Sequence, residues 1–315
     1  MQTKSFSLKM DDGVEIFCNR WMPDDGTEIK AVVQLHHGLA EHSMRYDRFG
    51  SVLAENGYVL NAYDMRGHGK TAEAAEAAGT GRFGKLADND GFNRVVEDLH
   101  IVLNALKADY PDKKVVLFGH SFGSFVSQGF IEKYGADING CVLCGTAGPR
   151  PFTVGAGKIV AKMVKSFKGP NHISPMLDKL AFGSYNKKVP IRKSMSGNDW
   201  LSANEDNIHL YEMDKWCGFK LTASFFVDLL SGLSQIHKGV NIGAIPKDLP
   251  VYFIYGKDDP VGSYGKTINK LYHMYLHNGM PNVDIKGYDG DRHEILNEND
   301  KETVENDVIS WISKI

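Results

Sequence analysis

The sequence predicts an α/β fold: a mostly parallel sheet of about eight strands, helices on both of its faces, and one helical insertion. Three features point there. The chain opens with an alternating hairpin pattern, continues as a repeat of short apolar strands and amphipathic helices, and breaks that repeat between residues 149 and 246 before resuming it. A length of 315 residues suits one large domain carrying an insertion. Apolar residues at 42% and charged residues at 24% exclude a disordered or collagen-like chain. The net charge of −3, from 36 Lys plus Arg against 39 Asp plus Glu, lacks the basic surplus that nucleic acid binding needs.

Residues 5–10 and 14–21 alternate around Asp11-Asp12-Gly13, a hairpin signal. Ala31 to Leu35 forms a short apolar strand ending at His36-His37-Gly38. Residues 45–56 read as a helix and Tyr58 to Tyr63 as a strand. Phe92, Val95, Val96, Leu99, Val102, Leu103 and Leu106 recur at helical spacing, so 91–109 is an amphipathic helix. Val115 to Phe118 is a strand, followed by a glycine-rich turn, a helix over 122–134 and a strand over 140–145. After the interruption come strand 251–255, helix 264–277, strand 282–287 and a final helix marked by Val304, Val308, Ile309 and Ile312. The expected division is a core of 1–148 with 247–315, and a helical cap or lid over 149–246.

Four cysteines, Cys18, Cys141, Cys144 and Cys217, make no disulfide framework. Cys141 and Cys144 lie in one apolar strand at odd spacing, which turns them to opposite faces and makes them small buried hydrophobes rather than a zinc pair. The polar start, Met1-Gln2-Thr3-Lys4-Ser5, has no secretory apolar region, and no window approaches the ~18 apolar residues of a membrane span, so a cytoplasmic protein is expected. Gly79-Thr80-Gly81-Arg82-Phe83-Gly84 matches GxGxxG, but no strand precedes it and no βαβ unit surrounds it. It reads as a flexible loop near the top of the sheet. With no Walker loop and no HExxH, neither a cofactor nor a metal is expected.

Gly119-His120-Ser121-Phe122-Gly123 fits G-x-S-x-G, with a strand before it and a helix after. Such a turn strains the serine and exposes its hydroxyl, while glycines two residues either side let strand and helix backbones approach. Ser121 also stands at a helix N-terminus, which favours developing negative charge. A serine nucleophile needs a base, and the base needs an orienting acid. In sheets of this construction the acid and then the base follow the serine along the chain. The strand end Tyr255-Gly256-Lys257-Asp258-Asp259-Pro260-Val261 offers Asp259, which the Asp-Pro-Val turn aims back across the sheet edge, with Asp258 as the alternative. The strand end Cys144-Gly145-Thr146-Ala147-Gly148 carries no acid. The loop Gly290-Asp291-Arg292-His293-Glu294 contains one histidine, His293, as the base. His273 and His277 fall on a helix, and the nine earlier histidines stand at unsuitable positions.

Gly38 would let the chain turn sharply after the strand at 31–35, so that the N–H of Leu39 faces the serine. The N–H of Phe122, next after the nucleophile, is the second donor of an oxyanion hole. His36 and His37 are adjacent on a strand and point to opposite faces, so they read as structural groups bonding the loop, not as metal ligands.

Four segments carry a family likeness: His37-Gly38-Leu39-Ala40-Glu41-His42-Ser43-Met44-Arg45-Tyr46, Asp64-Met65-Arg66-Gly67-His68-Gly69, the Ser121 turn, and Arg292-His293-Glu294-Ile295-Leu296-Asn297-Glu298. Together they resemble monoacylglycerol lipases and lysophospholipases of the serine aminopeptidase-like branch of the α/β-hydrolase superfamily. The resemblance spans the chain. It implies the α/β-hydrolase fold, Ser121 as nucleophile, Asp259 as acid, His293 as base, the N–H groups of Leu39 and Phe122 as oxyanion hole, a helical cap and a hydrophobic acyl tunnel.

Residues 149–246 hold ten aromatic residues in 98, no enrichment over the whole chain, and so give no compositional sign of a lipid pocket. Their charge differs from the rest: thirteen Lys plus Arg against seven Asp plus Glu, a net of +6 beside −9 for the remainder. Lys158, Lys162 and Lys165 recur at helical spacing beside Ile159, Val160, Met163 and Val164, a basic amphipathic helix suited either to solvent over a packed face or to an anionic membrane surface. The expected activity is hydrolysis of single-chain acyl esters through an acyl-enzyme. The same triad could serve acyl transfer to an alcohol or an aminopeptidase-type amide hydrolysis. A non-catalytic receptor on this fold is disfavoured because all three triad positions are filled.

Overall fold

The computed structural model describes residues 1–190 and 196–315. β1 (Gln2–Lys9) and β2 (Glu15–Met22) pair antiparallel across the Asp11–Gly13 turn, where Gly13 takes a φ of +87°. β1 starts earlier than its pattern suggests, because Gln2 to Ser5 are all exposed on an edge strand and show no apolar alternation. The rest of the first half is β3 (Ala31–His36), α1 (Asp47–Glu55), β4 (Tyr58–Tyr63), α2 (Gly69–Ala77), α3 (Gly91–Asp109), β5 (Lys114–His120), α4 (Phe122–Tyr134) and β6 (Gly140–Cys144). The second half of the sheet comprises β7 (Val251–Gly256) and β8 (Val283–Tyr288). The order across the sheet is β1-β2-β4-β3-β5-β6-β7-β8, and every pair from β4 to β8 is parallel.

Alternation along the strands divides the core into two layers. Val115, Leu117, Cys141 and Leu143 face α3 and α4, whereas Val116, Phe118, Val142 and Cys144 face α1 and the C-terminal helix. The two cysteines therefore lie on opposite faces as free buried thiols. One helix has no hydrophobic stripe in the sequence: α2 buries only Gly69, Thr71 and Ala72. The loop beyond it is pinned rather than flexible. The Gly84 N–H donates to Gly67 O at 3.0 Å, and Gly84 O accepts from Thr222 N–H at 3.0 Å.

Between β6 and β7 the described chain is helical: α5 (Pro151–Lys168), α6 (Pro175–Phe182), α7 (Glu205–Met213), α8 (Ala223–Gln235) and α9 (Gly239–Ala244). These helices differ in depth. α8 packs onto the core, with Phe225 fully buried and its ring 5.3 Å from that of Phe122. α5 buries only Ala161 and lies outermost. Arg192 and Lys193, two of the basic residues counted in this stretch, lie outside the described residues. The chain closes with α10 (Lys266–His277) and α11 (Lys301–Ile312), and no helix among the described residues is long and apolar enough to cross a membrane.

Candidate active site

Ser121 joins β5 to α4 in the middle of the sheet, with φ +52° and ψ −119°. A non-glycine residue held there stores on the order of 1–3 kcal/mol of strain. The surroundings hold it in place: its N–H donates to Cys144 O on the neighbouring strand at 2.9 Å. The flanking glycines are required for space. A Cβ at Gly119 would stand 2.6 Å from Gly123 O, and one at Gly123 would stand 2.5 Å from His37 O.

Asp259 follows β7 and His293 follows β8, and the fold brings the two together. The His293 Nδ1–H donates to Asp259 Oδ2 at 2.9 Å, with both side chains buried. Asp259 Oδ1 accepts the Val261 N–H at 2.8 Å, the turn bond that fixes the carboxylate's direction. Asp258, one residue earlier, points outward and is exposed. His293 Nε2 is buried with no hydrogen-bond partner. Gly145, at the end of β6, has φ +57°, and a Cβ there would lie 3.1 Å from His293 Cε1, so this acid-free strand end is kept bare beneath the imidazole.

The loop after β3 turns by a different residue from the one expected. Gly38 does not adopt a positive φ; Ala40 does, at +54°. Gly38 is needed for room, since a Cβ would come within 2.5 Å of Glu41 Oε1 and 3.0 Å of Ser121 Cβ. His37 is structural, as expected: its Nδ1–H donates to Gly38 O at 2.7 Å and its Nε2 accepts the Met65 N–H at 3.1 Å. His36 is fully buried, which drives its basicity down to about 3 and keeps it neutral. Leu39 borders the same cavity as Ser121, and Phe122, as the first residue of α4, has an N–H without an intrahelical acceptor.

Beneath the serine lies a buried ionic network that motif spacing did not reveal. Glu41 Oε1 accepts from the Gly38 N–H at 2.5 Å, the Tyr46 hydroxyl at 2.9 Å and His120 Nδ1 at 3.0 Å. His120 Nε2 faces His293 O at 3.3 Å. Both ring nitrogens thus meet acceptors, so the ring carries both protons. Burial alone would lower its pKa, but the Glu41 carboxylate outweighs burial and raises it. Arg45 donates to Glu41 Oε2 at 3.1 Å and forks onto Glu294 at 2.6 and 2.7 Å. Two anions and two cations therefore balance, and they tie together the loops that carry Leu39, Ser121 and His293. Asn207 of α7 joins them, donating to Glu294 Oε2 at 2.7 Å. The only advance signal was charged residues inside the four motif segments.

The insertion also grips the histidine loop. Arg292 donates to the carbonyls of Asp199 and Ser202 at 2.7 and 2.8 Å, and the Trp200 ring lies 5.1 Å from that of His293. Ser121 and His293 open onto one cavity of about 850 Å³, walled by α5, α6 and α8 with side chains such as Val160, Leu177, Phe226, Leu229 and Leu233. Six of the ten aromatic residues of this stretch, Phe182, Tyr185, Trp200, Tyr211, Phe219 and Phe226, also line the cavity, so the pocket is marked by where the aromatics gather and not by how many there are.

The sequence pattern of the family described as serine aminopeptidase, S33, matches residues 27–300. The chain is 25% identical over 308 residues to a monoacylglycerol lipase of Mycolicibacterium smegmatis, covering 95% of this chain and 93% of that one. It is 26% identical to the monoglyceride lipase of Rattus norvegicus, covering 96% and 88%. Its fold superposes on a thermostable carboxyl esterase from Bacillus coagulans, solved with glycerol, at a TM-score of 0.90 with 28% identity, covering 100% and 99%. The chain is a hydrolase of the lipase and esterase type, with the α/β-hydrolase fold, and belongs to the serine aminopeptidase S33 family.

Proposed function

We propose that the chain hydrolyses single-chain acyl esters, monoacylglycerols or lysophospholipids, through an acyl-enzyme on Ser121. The observation that carries this is that the strained Ser121 and His293, itself held at 2.9 Å by the buried Asp259, share one largely apolar cavity of about 850 Å³. His293 Nε2 takes the Ser121 proton as the hydroxyl attacks the acyl carbonyl. Asp259 holds the imidazole's tautomer and steadies the imidazolium. The N–H groups of Leu39 and Phe122 receive the oxyanion. The alcohol leaves with the proton from His293, and water, activated by the same base, releases the fatty acid.

Helices α5 and α6 act as a cap in this proposal, shielding the chemistry from bulk water. The ester reading is favoured over N-terminal peptide cleavage by the state of the cavity's carboxylates. Glu41 and Glu294 are already bound to His120 and Arg45, and Asp178 to Lys220, so no unpaired acid waits for a free amino group among the described lining residues. Ser121→Ala should abolish turnover of p-nitrophenyl esters and labelling by a fluorophosphonate while leaving the melting temperature unchanged. Retained turnover would refute it. A panel of monoacylglycerols, lysophospholipids and aminoacyl amides ranks the substrates, and product analysis with added glycerol separates hydrolysis from acyl transfer.

We also propose that the outer face of α5 and α6 docks on anionic lipid. Ile159 and Met163 are exposed, as are Phe152 at 92%, Phe167 at 80% and Leu180 at 66%. Lys158, Lys162, Lys165 and Lys168 stand among them. Sedimentation with anionic vesicles should recover more protein than with neutral ones; equal recovery counts against it.

A further inference from the structure

The loop between α7 and α8 closes onto the loop that follows β3. The Gly218 N–H and the Tyr211 hydroxyl both donate to Ala40 O at 2.9 Å. Beside these bonds stand three side chains of metal-ligating type. His42 comes from the loop after β3, and Asp214 and Cys217 from the loop between α7 and α8, with donor atoms all within 4.8 Å of one another. We propose that this clasp is a binding site for a thiophilic divalent cation of the zinc type, held by His42, Asp214 and Cys217.

An imidazole nitrogen, a carboxylate oxygen and a thiolate form a donor set that suits zinc and poorly suits magnesium or calcium. At zinc bond lengths of about 2.0–2.3 Å, tetrahedral ligands sit roughly 3.3–3.7 Å apart. His42 Nε2 and Asp214 Oδ2 are 2.8 Å apart, so they open by about half an ångström as the cation replaces their shared proton. The His42 ring is buried, its Nε2–H donates to Asp214 Oδ2, and its Nδ1 has no hydrogen-bond partner, so Nδ1 is open to the proton that Nε2 gives up to a cation. Asp214 is 28% exposed, which leaves a side open for the cation to enter and for a water to fill the fourth position.

Cys217 is the one cysteine of the four that is not buried. A cation bound beside it would hold it as the thiolate, the form that ligates metal. Binding then balances as one cation taken up, one thiol proton released, and the imidazole proton moved from Nε2 to Nδ1, so that carboxylate and imidazole keep their charge. The consequence is a further link between the insertion and the loop bearing Leu39. The site itself stands independently of the role proposed for Leu39.

The test uses the full chain stripped with chelator, desalted, and titrated with zinc and with cobalt. The wild type should retain one equivalent of zinc through gel filtration and show a thiolate-to-cobalt charge-transfer band. Zinc should slow Cys217 modification by a thiol reagent. Cys217→Ala and Asp214→Asn, both on the insertion, should each weaken zinc binding at least about tenfold. Cys217→Ala should also remove the band. The exposed pair His273 and His277 on α10 is the competing zinc site. A double His273→Gln, His277→Gln variant should bind as the wild type does. Zinc uptake that survives Cys217→Ala but disappears in the α10 variant overturns the proposal, as does a wild type that retains none. Hydrolysis by Ser121 is measured separately, so failure of either proposal leaves the other intact.

Discussion

Asp259→Asn makes a sharp test of the catalytic assignment because the structure dictates how the new amide must lie. Asp259 Oδ1 receives the Val261 N–H at 2.8 Å, and Oδ2 receives the His293 Nδ1–H at 2.9 Å. An asparagine keeps its oxygen on the Val261 N–H, since an amide NH₂ there would set donor against donor. Its NH₂ then faces His293 Nδ1, which can only accept if the ring moves its proton to Nε2. That is the nitrogen that must be free to take the serine's proton. The side chain is nearly isosteric, so folding survives while the base is held in the wrong tautomer. Loss of the correct tautomer in such triads costs about 10⁴ in kcat, or roughly 5.5 kcal/mol of transition-state stabilisation. Initial rates on a p-nitrophenyl ester, with melting temperature as a control, should show kcat falling by that order and KM changing little. A folded variant within tenfold of the wild-type kcat would refute both the tautomer argument and Asp259 as the orienting acid.

Other outcomes follow from packing and charge. Gly123→Ala should destabilise the chain by at least about 1–3 kcal/mol in urea unfolding, because the new methyl lands on the backbone oxygens of His36 and His37. Arg45→Met leaves Glu41 and Glu294 facing each other in the interior with one cation fewer, and should cost about 3–5 kcal/mol by the same measurement. Asp228 on α8 has a pKa raised by burial to about 6 from 3.8. A raised acid holds its stabilising effect at low pH and loses it as pH climbs through the folded value, so the wild type should lose about 3 kcal/mol between pH ~4 and ~8 from this group. Asp228→Asn should flatten that part of the stability profile and be the more stable protein at pH ~8; an unchanged slope in pH-dependent unfolding would remove Asp228 as its source.

The local patterns that the sequence displays are those whose physics is local. Strand and helix periodicities located every strand and the helices of residues 1–148 and 247–315 except α2, because a strand buried on both faces or a helix with one apolar stripe writes its environment into its own residues. α2 escaped for the same reason in reverse: it buries glycine, threonine and alanine, which make no stripe. The serine turn was legible because its five-residue pattern stands between a strand and a helix, although the backbone that crowds Gly123 belongs to His36 and His37, far along the chain.

Tertiary structure decided the rest. The pairing of Asp259 with His293, 34 residues apart, depends on β7 and β8 being neighbours. The buried balance of Glu41, His120, Arg45 and Glu294 spans more than 250 residues, and charged side chains carry no periodic mark of being inside. Composition set a basic insertion against an acidic remainder, but it could not say that α8 of that insertion belongs to the core while α5 faces out. Depth is a property of what packs against a helix, and a helix does not encode its partners.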